Sequence, residues 1–120
     1  MTATFTLDAN TIGDRCEILV AGEIDIDCAE DFAQVGCLAL ESKAVRRLTV
    51  DLSAVTFMDS TGLSALIRMN LAATASSKRF DIRDPSPQVR RLIAMTGLDA
   101  VLTLTESTSG GPDSRYEPAP

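Results

Sequence analysis

The sequence predicts an α/β fold: a mostly parallel central sheet that begins with an N-terminal antiparallel hairpin and has helices packed on it. Three observations carry that expectation. Two short strand-like runs near the N-terminus flank a glycine turn, as a hairpin requires. Behind them, segments of helical and strand periodicity alternate three times, which implies right-handed crossovers between parallel strands. The chain has 120 residues, 45% apolar and 23% charged, enough for a single domain with a substantial core.

The elements follow in order. Thr2–Asp8 is expected to pair with Arg15–Ala21 across a turn at Asn10–Asp14, and Gly22-Glu23-Ile24-Asp25 to break the second strand. Asp27 fits an N-cap, with Glu30 three residues on in a capping-box pattern. Apolar residues from Ala29 to Leu40 then recur at helical spacing, with Gly36 a weak point. Arg46–Leu52 is the clearest strand, because Leu48, Val50 and Leu52 alternate with Arg47, Thr49 and Asp51. A loop, Ser53–Met58, leads to a helix over Ser60–Ser76 with Leu63, Leu66, Ile67, Asn70 and Leu71 on one stripe. Lys78–Arg83 reads as a short strand. Ser86-Pro87 starts another helix, with Val89, Leu92, Ile93 and Met95 apolar and Gly97 at its C-cap. Val101–Leu104 is a last short strand. The domain is expected over residues 1–105, followed by a flexible tail over 106–120 that is rich in Ser, Gly and Pro.

Composition removes several classes of function. The net charge of −6 opposes sequence-independent nucleic-acid binding, which needs a basic footprint. Eight of the 17 acids lie between Asp8 and Asp31, against one base there, Arg15. That segment is either a solvated acidic surface or a docking patch for a basic partner. The absence of histidine removes Ser-His-Asp and Cys-His catalysis and every histidine-containing metal site. Cys16, Cys28 and Cys37 have no metal or CxxC spacing and are expected as reduced thiols, two of them buried. No N-terminal signal pattern and no apolar run long enough to span a membrane is present, so a cytoplasmic chain is expected.

The segment Met58-Asp59-Ser60-Thr61-Gly62-Leu63 joins the best strand to the best helix. Three consecutive residues there could cap the helix, more than one helix needs. Ser60 and Thr61 lie at or inside the first turn, where free N–H groups and the helix dipole favour an anion. A phosphoryl group on Ser60 would be tolerated there. The plainer alternative is that Asp59 or Ser60 is only an N-cap and Gly62 only relieves crowding. A serine nucleophile would need Asp59 or one of the two lysines, Lys43 and Lys78, as its base. Glu23 and Asp25 could do acid–base work, but charged residues at a strand end are more often simply solvated. No catalytic residues are assigned.

Three motifs in order give the chain a resemblance to a known family. Val50 to Leu63, with its strand, its aromatic Phe57 and Asp59-Ser60-Thr61-Gly62-Leu63, resembles the signature of the STAS family, specifically the small bacterial anti-sigma factor antagonists. Gly22-Glu23-Ile24-Asp25 and Pro87 to Leu98 match two further family segments. The family often has another glycine where this chain has Ser64. The resemblance spans roughly Thr4 to Leu104 and implies the STAS fold.

It also implies a phosphorylation-controlled partner switch. Ser60 matches the serine that is phosphorylated by a kinase that is also the anti-sigma factor, and Thr61 a secondary acceptor. The unmodified antagonist would bind that anti-sigma factor and free a sigma factor; phosphorylation would switch binding off and a phosphatase would restore it. Glu23, Asp25, Asp59, Ser60, Thr61, Gly62 and Leu63 are the implied partner-binding residues. No cofactor of its own is implied, since the kinase supplies ATP and Mg²⁺. A monomer is expected in isolation, with no membrane and no direct nucleic-acid partner. The alternative within the family is a scaffold or ligand-binding module that never uses Ser60 as an acceptor.

Overall fold

A computed structural model of the chain describes residues 5–107. Among them the order is β1 (Phe5–Ile12), β2 (Arg15–Ile24), α1 (Ala29–Glu41), β3 (Arg47–Met58), α2 (Ser60–Ala75), β4 (Arg79–Arg83), α3 (Pro87–Met95), a 3₁₀ turn (Leu98–Ala100) and β5 (Leu104–Thr105). The strands form one sheet in sequence order. β1 and β2 are antiparallel, and every later pairing is parallel. This is the expected α/β arrangement with its leading hairpin.

The two faces of the sheet differ. Cys16, Ile18 and Val20 of β2, Leu48, Val50 and Leu52 of β3, and Phe80 and Ile82 of β4 are buried in the core. Helices α1 and α2 pack closely over this face, because Gly36 gives way to Met69: a Cβ at Gly36 would fall 2.2 Å from the Met69 sulfur. The alternate residues form a polar face. Arg83 bridges Glu17 (3.1 Å) and Asp51 (3.3 Å), and Arg15 joins Glu17 at 2.9 Å. Asp81 is buried, and its carboxylate is satisfied by Arg47 at 2.5 Å and by the Thr49 hydroxyl at 2.7 Å. Such pairing is what a buried charge requires.

Several boundaries differ from the sequence expectation. The hairpin turn is only Gly13-Asp14, with Gly13 at φ +63°, and β1 runs on to Ile12. β2 is not broken at Gly22 but continues to Ile24; Gly22, at φ +99°, absorbs a register irregularity. Ser53–Met58 is strand rather than loop. Register shifts against β2 place extra residues in β3 and interrupt the period-two alternation that would have revealed it. Asp27 is not an N-cap. Cys28 holds that position without a side-chain capping bond, the Asp27 N–H is taken by Asp25 Oδ1 at 3.0 Å, and Glu30 turns to Arg68.

On α2 the buried stripe continues through Met69 and Ala73, leaving Leu71 exposed. On α3, Val89 and Ile93 are buried and Met95 is exposed. Ser86 is the N-cap residue of α3, but its hydroxyl caps nothing. The last strand lies at Leu104–Thr105, after the 3₁₀ turn. All three cysteines are free thiols; Cys16 is buried, and Cys28 and Cys37 are half-buried. The first hairpin residues and the tail from residue 108 onward lie outside the described residues.

Candidate functional site

Parallel strands deliver their C-terminal ends to one edge of the sheet, which is where α/β folds gather functional groups. Here β2 and β3 end side by side, with Glu23 opposite Phe57 and Ile24 opposite Met58. One step further the Asp59 N–H donates to the Ile24 carbonyl at 3.2 Å. The β2–α1 loop is therefore tied to the start of α2, and Glu23, Asp25, Asp59, Ser60 and Thr61 come to one end of the molecule.

Asp59 is the N-cap of α2. Its Oδ1 accepts from the Thr61 N–H at 2.9 Å and the Gly62 N–H at 3.4 Å, and from the Thr61 hydroxyl as well. The Thr61 hydroxyl bond, helped by those backbone bonds against some desolvation, holds the Asp59 carboxyl below its ordinary aspartate range. Ser60, first residue of the helix, is exposed, and its hydroxyl makes no hydrogen bond among the described residues. Of three adjacent capping-type side chains, two are engaged with each other and one is free.

Gly62 and Leu63, expected among the partner-binding residues, are both buried. Gly62 is buried, because a Cβ there would fall 2.5 Å from Met58 Cγ and 3.0 Å from Ile24 Cγ2. Leu63 is 4% exposed and belongs to the core. Both seat the first turn of α2 against the ends of β2 and β3. Asp25 is half-buried and builds the β2–α1 loop: its carbonyl accepts from the Cys28 and Ala29 N–H groups at 3.1 and 2.9 Å. Glu23 is exposed beside it. The Cys28 thiol donates toward the Glu23 carbonyl at 3.4 Å, and burial, with Asp25 and Asp27 adding, pushes it above the ordinary thiol range.

Three further residues complete this end of the molecule. Ile26 is 74% exposed in the β2–α1 loop, and Phe57 is 42% exposed at the end of β3. Ile26 borders a shallow cleft of about 270 Å³ between that loop and α2, whose far wall is Thr61, Ser64 and Arg68. The third is Gln88 of α3, whose side chain bonds both backbone polar groups of Met58. Gln88 lies within the Pro87 to Leu98 segment that matches the family, but its partner is hidden from a sequence that reads as a loop over Ser53–Met58. Among the described residues no group of three or more Cys, Asp or Glu is placed to hold a metal ion.

A family model described as "Mlab, STAS domain" matches residues 8–105. The chain belongs to the STAS-domain family. Within that family it is 28% identical to an anti-sigma-B factor antagonist of Staphylococcus epidermidis over 102 residues, which cover 85% of this chain and 94% of that protein. It is 29% identical over 92 residues to one from Staphylococcus aureus, with 77% and 84% covered. Among solved STAS structures, an anti-sigma factor antagonist from Mycobacterium paratuberculosis superimposes with a TM-score of 0.76 at 28% identity, covering 85% and 86% of the two chains. The anti-sigma factor antagonist SpoIIAA in its unphosphorylated form gives 0.74 at 23% identity, over 90% and 91%, and so shares the fold. Among the described residues, no helix of this STAS chain is long and apolar enough to cross a membrane.

Proposed function

We propose that this STAS protein is an anti-sigma factor antagonist that works as a phosphorylation-controlled partner switch, with Ser60 as the acceptor. One observation carries the reading: within Asp59-Ser60-Thr61, only the Ser60 hydroxyl is both exposed and unbonded, and it stands at the N-terminus of α2. The relatives named anti-sigma-B factor antagonists support the role. The unmodified form binds an anti-sigma factor that is also a serine kinase, and so frees a sigma factor.

The chain itself is not an enzyme and carries no cofactor; ATP and Mg²⁺ come with the kinase. The γ-phosphorus loses its bond to the bridging oxygen of the departing ADP and gains one to Ser60 Oγ, while the hydroxyl proton passes to a base of the kinase. Thr61 is the lesser acceptor, since its hydroxyl would first have to leave Asp59. A phosphatase reverses the modification. The switch operates in the cytoplasm on a monomer, without nucleic acid or membrane.

The phosphate adds a charge of about −1.5 to −2 beside Asp59 and the acidic β2–α1 loop. A partner surface that accepted a neutral hydroxyl would have to desolvate that charge. Each ~1.4 kcal/mol lowers affinity tenfold, and an imperfectly paired buried charge can exceed that several times over. Binding of the anti-sigma factor is therefore expected to survive in Ser60→Ala and to weaken by about tenfold or more in Ser60→Asp. Calorimetry with the cognate kinase would measure both, beside site-mapped mass spectrometry of the wild type. Equal affinities for the two variants, with no phosphate on Ser60, would favour a phosphorylation-independent STAS module.

A further inference from the structure

The C-terminal half of β3 has a neighbouring strand on one side only. β4 follows β3 from the Arg47–Arg79 pair to the Asp51–Arg83 pair and then stops, whereas β2 accompanies β3 to Met58. Backbone polar groups alternate sides along a strand. With the Asp59 N–H given to Ile24 on the β2 side, the N–H and C=O of Met58 face the side that β4 has left. Buried backbone groups need partners, and the first turn of α3 provides them. The Ser86 N–H donates to the Leu52 carbonyl at 3.3 Å. Gln88 then makes two bonds to one residue: Oε1 accepts from the Met58 N–H at 3.0 Å, and Nε2 donates to the Met58 carbonyl at 3.4 Å. That pair fixes the orientation of the amide, because a flipped amide would set donor against donor and acceptor against acceptor. Gln88 thus stands in for a strand of one residue, two positions before the acceptor serine.

The same residue is held from its other end. The Met58 side chain is 1% exposed and lies where a Cβ on Gly62 would strike it. Gln88, Met58 and Gly62 therefore form a continuous contact from α3, through the end of β3, to the first turn of α2. The Asp59 N–H ties the helix start to β2 through the Ile24 carbonyl, and the clasp on Met58 ties it on the other side to α3.

We propose that Gln88 is the positioning residue of the phosphorylation site: by bonding both backbone groups of Met58 it holds the Met58-Asp59-Ser60 segment in register at the open edge of β3 and so presents the Ser60 hydroxyl. This rests on the reading of Ser60 as the acceptor, but it is testable without a kinase. Residue-resolved amide hydrogen exchange on the full chain would compare wild type with Gln88→Met, Gln88→Glu and Val89→Ala. In Gln88→Met, which keeps length but loses both bonds, the Met58 and Thr61 amides should exchange about tenfold faster relative to Val50. Gln88→Glu at neutral pH still offers an acceptor to the Met58 N–H but sets its second oxygen against the Met58 carbonyl, so it should restore protection there only in part.

Val89, the next residue, is fully buried, so Val89→Ala loosens α3 without touching the clasp and should leave that selective change absent. Wild-type exchange at Met58 and Thr61 in Gln88→Met, or equal acceleration in Val89→Ala, overturns the positioning role. Failure of the acceptor reading would appear elsewhere, as an absence of phosphate on Ser60 in the wild-type protein, whatever the exchange data show.

Discussion

Asp59, Ser60 and Thr61 divide the work of a helix start among three polar residues. The sequence displays the surplus of capping groups but not the division, because which hydroxyl is engaged depends on a side-chain bond with no spacing signature. Here the Thr61 hydroxyl is held by Asp59, and that bond keeps the carboxyl ionised to lower pH than an ordinary aspartate. A depressed folded-state value means that this cap contributes its full stability above the ordinary aspartate range and loses it as pH falls through the depressed value. Thr61→Val removes the donor with little change in shape. The Asp59 titration midpoint should then move up toward its ordinary value, as read by carboxyl ¹³C NMR; an unmoved midpoint would show that the hydroxyl bond is not the cause. Asp59→Ala should destabilise the fold by about 1 kcal/mol through loss of the cap. The burial of Gly62 and Leu63 could not be told from contact roles at this scale, since a motif names residues without saying which way they face.

Elements with regular periodicity were legible, and those that depart from it were not. α2 and α3 announce themselves through apolar spacing and the Ser-Pro start. β3 was read only as far as Leu52, because the register shifts against β2 hide the rest. Gly36 illustrates the same limit. In the sequence it is a poor helix former; in the structure it is where α1 meets α2, with Met69 occupying the space a side chain would need. Gly36→Ala should therefore destabilise the protein by about 1–3 kcal/mol through overpacking, despite the roughly 1 kcal/mol that alanine would gain in an isolated helix. Met69→Ala should be less damaging in the Gly36→Ala background than alone, giving a favourable coupling in a double-mutant cycle followed by urea unfolding. Additive effects would mean that the two helices part rather than clash.

At the scale of the whole molecule, the alternation of strand and helix was enough to give the sheet its parallel order and the site its edge. The polar sheet face was not foreseen. Arg47, Thr49 and Asp51 alternate with the apolar residues of β3, yet Thr49 and, on β4, Asp81 are buried among their own partners, a property of the assembled pairs rather than of any one segment.

One feature of this architecture bears on how the chain reaches its fold. β1 and β2 are joined by a tight local turn, whereas Arg15 must find Arg47 across an intervening helix before β2 and β3 can pair. The turn takes part in that second event too, because the Asp14 carbonyl accepts from the Arg46 and Arg47 N–H groups at 2.7 and 3.2 Å. A preformed hairpin therefore offers the later strand a docking point, and non-local pairing of this kind is the slow part of folding. Gly13, at φ +63° with open space around it, can be replaced by alanine at the expense of backbone strain alone, about 1 kcal/mol. If the hairpin belongs to the folding nucleus, most of that penalty should appear as slower refolding in a chevron measured by stopped flow, with the unfolding arm nearly unchanged; a penalty confined to the unfolding arm would place hairpin closure after the rate-limiting step.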